Sequence, residues 1–462
     1  MKKQSFLKGA FYLALGSFLS KAIGALYKIP LANLVGGYGL GLYQMAYPFY
    51  CLLLTVSATG IPSAIASLGA ERREKGLSNR SLLKSALKLF LGIGAGGTAL
   101  MIFLSPILSS LQGEPLIKGY LALAPSVFLT SAIAVFRGYF QAERDMRPTA
   151  LSEVVEQVVK VSLGLLFAYL NRDNPVRAVG FLLLAVSISE LVALGVLALL
   201  YAVAKNREKS EKDGDRVALK SVFAVSFPAS LSSSLFPLST FLDSVVLIRL
   251  MERYTQNAVS LYGLFSGGAA SLAALPASVC HALAVSCVPE VSKDYASGKG
   301  KSSIKKALLW TALFSSVGAI GLYLLAPQAV NILFKGLTAE ERGLTARLVR
   351  GLSVGTVFLA CSQTLSACLT AMKKPKYSVY AAALAVGVKL LLSFLLVSKP
   401  EFSIFGGVIA LDVCYFVDFL LNLLYNLRVL GDNDKQKEQK DDYGSRTWRR
   451  IRRFNRAWGK GD

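Results

Sequence analysis

The chain has 462 residues, of which 53% are hydrophobic and 17% charged, with a formal net charge of +23. Its apolar residues gather in blocks of 20 or more between short polar connectors, which excludes a string of soluble domains and marks one polytopic membrane unit. The basic excess sits in connectors and the C-terminal tail, a placement that excludes a nucleic-acid partner and suits segments held at an anionic membrane face.

In chain order, the start Met1-Lys2-Lys3-Gln4-Ser5-Phe6 carries the charge of a signal peptide, but the apolar stretch behind it runs past Pro30. It holds Lys21 and Lys28 at depth and shows no small-residue cleavage site, so a retained first span is expected. Apolar windows predict spans near 6–34, 39–69, 82–110, 116–141, 148–170, 177–203, 217–250, 258–292, 302–326, 344–371, 376–397 and 403–427. Of the 51 Lys and Arg, 37 fall on alternate connectors that include both chain ends, 10 on the others and 4 within spans. That asymmetry predicts cytoplasmic termini.

In the tail, Trp448, Ile451, Phe454 and Trp458 share one helical arc opposite Arg449, Arg450, Arg452, Arg453 and Arg456. This pattern predicts a helix lying on anionic lipids of the inner leaflet, behind a flexible polar linker over 431–445. The six cysteines all lie in apolar stretches and read as packing residues.

Residues 41–67 can be laid on 260–286, Lys84-Ser85-Ala86-Leu87 on Lys305-Lys306-Ala307-Leu308, and Met146-Arg147-Pro148 on Lys373-Lys374-Pro375. Three matches in order suggest six spans repeated in the same orientation. The prediction is an all-α membrane protein of about twelve transmembrane helices in two pseudo-repeated six-helix lobes around a central cavity. The lobes are 1–205 and 217–430, with a cytoplasmic linker over 206–216 and a basic tail over 431–462.

An ionisable residue at bilayer depth costs a few kcal/mol on insertion scales, so it is expected to face a cavity or a partner. Lys21 and Lys28, seven residues apart, share a face of the first span. Glu153, Glu156 and Lys160 share a face of the fifth, where Glu156 and Lys160 are spaced to pair. Asp243 and Arg249 end the seventh span on different faces, with Arg249 at the repeat position of Lys28. Glu190, Lys389, Asp412 and Asp418 are further mid-span charges. Lys21, Lys28, Lys160, Arg249 and Lys389 are the candidate substrate-binding residues. Glu156, Glu190, Asp243, Asp412 and Asp418 are candidate coupling or counter-charges.

Residues 20–62, with Ser20-Lys21-Ala22-Ile23-Gly24-Ala25-Leu26-Tyr27-Lys28-Ile29-Pro30, Gly41-Leu42-Tyr43-Gln44-Met45-Ala46-Tyr47-Pro48 and Gly60-Ile61-Pro62, resemble the opening of polysaccharide-transport proteins of the stage V sporulation protein B type. Arg137-Gly138-Tyr139-Phe140-Gln141, Met146-Arg147-Pro148 and Glu156-Gln157 are similar to that family's fourth-to-fifth span junction. The resemblance implies the multidrug/oligosaccharidyl-lipid/polysaccharide (MOP) exporter superfamily. It further implies translocation of an undecaprenyl-diphosphate-linked saccharide across the bacterial cytoplasmic membrane, with cell-wall synthesis proteins as partners. A departure is that lipid II flippases have fourteen spans against the twelve counted here.

No Walker A pattern is visible, so a resident ATPase and any cofactor are not expected. Two other readings stand beside this one. A drug or cation exporter of the same superfamily would use Glu190, Asp243, Asp412 or Asp418. A membrane glycosyltransferase would need a surface acid or metal site, and neither catalytic residues nor metal-ligand spacing are found.

Overall fold

A computed structural model of the chain describes residues 6–205, 222–223, 226, 230, 233–297 and 300–458. The side chains of 6–11, 14, 18, 21, 25, 204–205, 281–283, 285–286, 289, 296 and 432–458 lie outside the described residues. The elements are α1 (Phe6–Leu26), α2 (Lys28–Ala58), α3 (Ile61–Glu74), α4 (Arg80–Gln112), α5 (Ile117–Ala142), α6 (Arg147–Leu170), α7 (Pro175–Lys205) and α8 (Leu235–Met251). Then come α9 (Ala258–Tyr262), a π-helical segment (Gly263–Ala269), α10 (Ala270–Ser297), α11 (Gly300–Leu333), α12 (Ala339–Ala371), α13 (Pro375–Val397) and α14 (Ser403–Trp458). Among the described residues there are helices and turns and no strand.

Nine stretches among the described residues are long and apolar enough to cross a membrane. α6 stands apart from them because Glu153, Glu156 and Lys160 place three charges within eight residues of it.

The first of the nine runs from Leu15 to Glu74, 60 residues, about three times what one crossing needs. Two backbone events divide it. The Pro30 ring clashes with the carbonyl of residue 26, where α1 ends. Within α2, Gly36 has φ +68° and breaks the helix, a conformation that costs a residue with a Cβ about 1–2 kcal/mol. Lys28 and Cys51, which a straight helix would hold about 35 Å apart, are instead within electrostatic reach. The chain therefore folds back at Gly36, between the first two predicted spans.

By backbone packing the chain forms two compact units. One comprises residues 1–275, 321–353 and 386–411, the other 276–320, 354–385 and 412–462.

In the first unit the segments aligned as a repeat pack on each other. A Cβ on Gly41 would strike the Val259 carbonyl, and one on Gly263 would strike the backbone of Gly37 and Gly41, so these helices meet at backbone distance. Gln44 Nε2 donates to Ser266 Oγ in the π segment at 2.8 Å. Similar economy joins α5 to α7, where Ser126 and Ser187 hydroxyls meet at 2.8 Å. Gln112, fully buried, donates to the Met45 carbonyl at 2.9 Å and accepts from the Tyr120 hydroxyl at 2.6 Å.

In the second unit, Val291, Ile304, Leu365, Leu369 and Met372 form an apolar cluster with Val429 and Leu430 of α14. That helix continues through 431–445, where a flexible linker was expected. The segment holds no proline, carries three Lys and two Gln over 435–440, and sets Lys435 three residues before Glu438 and Lys437 four before Asp441. Good helix formers with opposite charges at those spacings extend the helix.

Candidate functional site

The charged groups of the first half converge from four helices. Lys28 begins α2 beside the Tyr27 break, and its Nζ donates to Ser271 Oγ at 3.0 Å. From the same helix Tyr43, Tyr47 and Tyr50 line up at i, i+4 and i+7, with ring centroids 5.0 Å apart for the first pair and 5.5 Å for the second. α6 contributes Glu156 and Lys160, α5 Arg137 and α7 Glu190.

Glu156 does not take the partner that helical spacing offered. Its Oε2 accepts from Arg137 at 2.9 Å, while the Arg137 Nε reaches Ser152 at 2.9 Å. A guanidinium presents several donors in a fixed fork, so it holds a carboxylate better than an ammonium one helical turn away. Lys160, 8% exposed, is left with no hydrogen-bond partner among the described residues and within electrostatic reach of Lys28, Glu156 and Glu190. Glu190, 1% exposed, accepts from the Tyr50 hydroxyl through Oε1, and its Oε2 has no partner. With Arg137 and Glu156 neutralising each other, Lys160 keeps Lys28 and Glu190 as the other charges within its reach among the described residues. This excess of positive charge beside an aromatic stack suits an anionic, partly apolar ligand.

The second-half charges are arranged differently. Lys389 of α13 forms a buried ion pair with Asp243 of α8 and donates to Ser239 at 2.9 Å. Asp243 Oδ1 has no hydrogen-bond partner. Arg249 is exposed and stands away from Lys28. It donates to the Leu111 carbonyl at 2.7 Å and the Ser110 carbonyl at 2.6 Å, and pairs with Glu252 at 2.9 Å. These are terminal carbonyls of α4, which ends at Gly113 with φ +72°, so Arg249 satisfies acceptors that the helix leaves open.

Asp418 is enclosed by its own neighbours: Ser362 and Asn422 both donate to it, Asn422 at 3.0 Å. Asp412 lies against Gly355 with Oδ1 unpartnered. Lys21 lies on α1, and its side chain is outside the described residues.

At the start of α6, Asp145 accepts from the Arg147 guanidinium at 2.8 and 2.9 Å, which raises the Arg147 pKa above its ordinary value and holds the α5–α6 turn. Sequence reasoning did not single out the tyrosines of α2 or Ser271. The i, i+4, i+7 spacing of Tyr43, Tyr47 and Tyr50 was the available signal.

Among the described residues no three His, Cys, Asp or Glu side chains converge on a point where a metal ion would sit. The described cysteines are free thiols.

A protein-family profile described as polysaccharide biosynthesis protein matches residues 6–294, more than half of the chain. The chain belongs to the polysaccharide biosynthesis protein family. A MatE profile also matches residues 228–395.

This member of the family is similar to stage V sporulation protein B of Bacillus subtilis (strain 168), 27% identical over 352 residues that cover 72% of this chain and 68% of the relative. It is similar to the lipid II flippase MurJ of the same organism, 24% identical over 419 residues that cover 84% and 76%. Its fold is similar to the inward-facing structure of a multidrug resistance MATE family transporter of the MOP superfamily, with a TM-score of 0.73 at 17% identity over 89% of this chain and 95% of that one. The chain is a polytopic membrane protein of the polysaccharide biosynthesis protein family, with the fold of those solved transporters.

Proposed function

We propose that the chain carries an undecaprenyl-diphosphate-linked saccharide, peptidoglycan lipid II or a related polysaccharide precursor, from the inner to the outer leaflet of the bacterial cytoplasmic membrane. It does so by alternating access of two six-helix halves, 1–205 and 217–430, with both termini in the cytoplasm. The single observation that supports this most is the pair of buried cations in the first half, where Lys28 and Lys160 lie within electrostatic reach of each other while Glu156 is taken by Arg137. A diphosphate cannot cross hydrocarbon with its charges bare, and two ammonium groups can replace its water and counterions. Tyr43 and Tyr47 offer ring faces and hydroxyls to the adjoining sugar. Lys21, seven residues before Lys28 on the opening span, adds to the same basic path. Asp243 and Lys389 form the counter-charge pair of the second half, and the basic tail holds anionic lipid.

Replacement of an essential lipid II flippase in a bacterium tests this reading. The wild-type chain is expected to sustain growth, and Lys21→Ala, Lys28→Ala and Lys160→Met to fail while inserting normally. The reading is overturned if vesicles containing the protein flip no undecaprenyl-diphosphate saccharide.

A second reading, a cation or drug antiporter of the same superfamily, draws on Glu190, whose Oε2 is buried without a partner. Proton-driven efflux of cationic dyes that survives Lys28→Ala and is lost in Glu190→Gln would select it.

A further inference from the structure

At the end of the second unit where α11 begins, α10 and α11 part to leave a groove of about 370 Å³. Its apolar lining includes the small side chains Ala284 and Ala307, Val291, and the rings of Trp310 and Phe314. Those two rings lie 5.9 Å apart at 27°, and Trp310 is 60% exposed. The hydroxyl of Thr311 does not enter the groove's chemistry, since it is engaged with Thr364 at 2.9 Å. Ser303 is likewise committed to the Asp294 carboxylate. The lining is thus mostly apolar, with one cation, Lys306, which forms no ion pair among the described residues, and one carboxylate, Glu290.

Position fixes what meets this groove. From Ala307 to Leu333, α11 carries no charge, a stretch of about 40 Å at 1.5 Å per residue, so hydrocarbon begins directly beyond Lys306. Trp310 sits one turn inside that boundary, at the depth aromatic side chains favour in the interface. Lys293, Lys301, Lys305 and Lys306 against Glu290 and Asp294 make the local surface net positive among the described residues.

We propose that the groove binds an anionic phospholipid, its headgroup phosphate on Lys306 and one acyl chain along Trp310 and Phe314. A free anion would gain nothing from the ring wall, and a zwitterionic lipid would gain little from the lysine. The site is separate from the buried cluster of Lys28 and Lys160, and binding there does not depend on what the transporter carries.

Tryptophan fluorescence tests it directly, because the chain has three tryptophans and the other two, Trp448 and Trp458, lie in the tail. In full-length protein carrying Trp448→Phe and Trp458→Phe, reconstituted into vesicles, brominated phosphatidylglycerol is expected to quench Trp310 with about fivefold higher apparent affinity than brominated phosphatidylcholine, as one interfacial lysine allows. Lys306→Gln should bring the ratio to near one while phosphatidylcholine still quenches, which shows that the variant remains folded with Trp310 in lipid. Glu290→Gln should raise the ratio. Equal quenching by the two lipids in the parent protein overturns the proposal. So does displacement of the quencher by undecaprenyl phosphate but not by unlabelled phosphatidylglycerol, which would assign the groove to an isoprenoid tail.

Discussion

Breaking the Asp243–Lys389 pair separates the contribution of a buried charge from that of its partner. The two side chains are 8% and 6% exposed, so neither charge can turn to water when the other is removed. Lys389→Met leaves Asp243 with a bare carboxylate whose Oδ1 already lacks a donor. Asp243→Leu leaves an ammonium whose remaining partner among the described residues is the Ser239 hydroxyl. Loss of one member of a buried pair costs about 3–5 kcal/mol, chiefly because the survivor stays desolvated and uncompensated. The double variant removes both desolvation costs, and replacement of a buried pair by apolar residues is often neutral or stabilising. Each single variant is therefore predicted to lose about 3–5 kcal/mol and the double variant less than either, a coupling of several kcal/mol between residues in contact. Equilibrium unfolding in mixed detergent micelles, with the four proteins compared under one condition, reads this directly. Single variants within 1 kcal/mol of wild type, or losses that simply add in the double variant, would refute the reasoning.

Lys160→Met is expected to behave oppositely to Lys389→Met. With no hydrogen bond to lose among the described residues, it should hold or raise stability in the same unfolding assay while reducing transport at least tenfold in vesicles. Gly36→Ala should cost about 1–2 kcal/mol from its positive φ alone, since a Cβ there meets nothing within 4 Å. Gly41→Val, by contrast, overlaps the Val259 backbone and should cost about 3 kcal/mol or prevent stable insertion, read as yield of monodisperse protein. Arg249→Ala removes two donors from the end of α4. Because that side chain is 46% exposed, the loss should be about 0.5 kcal/mol, with the transport KM within twofold of wild type.

The span plan was legible because hydrocarbon imposes a length and a composition that leave few alternatives. The boundary between the first two predicted spans falls at Gly36, although nothing in the sequence marked that glycine as the residue that takes a positive φ. That Gly41 and Gln44 pack on the segment aligned with them was not legible, because similarity says that two segments fold alike and not that they touch. Pairings were not legible. Tyr50 and Glu190 are 140 residues apart and Asp243 and Lys389 are 146 apart. Helical periodicity says which face a residue occupies without saying what stands opposite. Where local spacing did suggest a pair, Glu156 with Lys160, a guanidinium from α5 took the carboxylate instead.

This failure carries functional information. The intramembrane charges drew attention because each is costly in hydrocarbon, and the structure separates those whose cost is met internally from those whose cost is not. Asp418 inside its Ser362 and Asn422 cage, Arg249 on the carbonyls of α4 and Glu156 on Arg137 have partners enough to account for their presence by packing alone. Among the described residues, Lys160 without a hydrogen bond, Lys28 with one hydroxyl, and Glu190 with one bare oxygen do not. A group kept charged and under-satisfied inside a folded protein is destabilising unless something else binds it during the working cycle. Under the proposed function, the groups left over after the internal pairings are made are the ones offered to a transported ligand or ion.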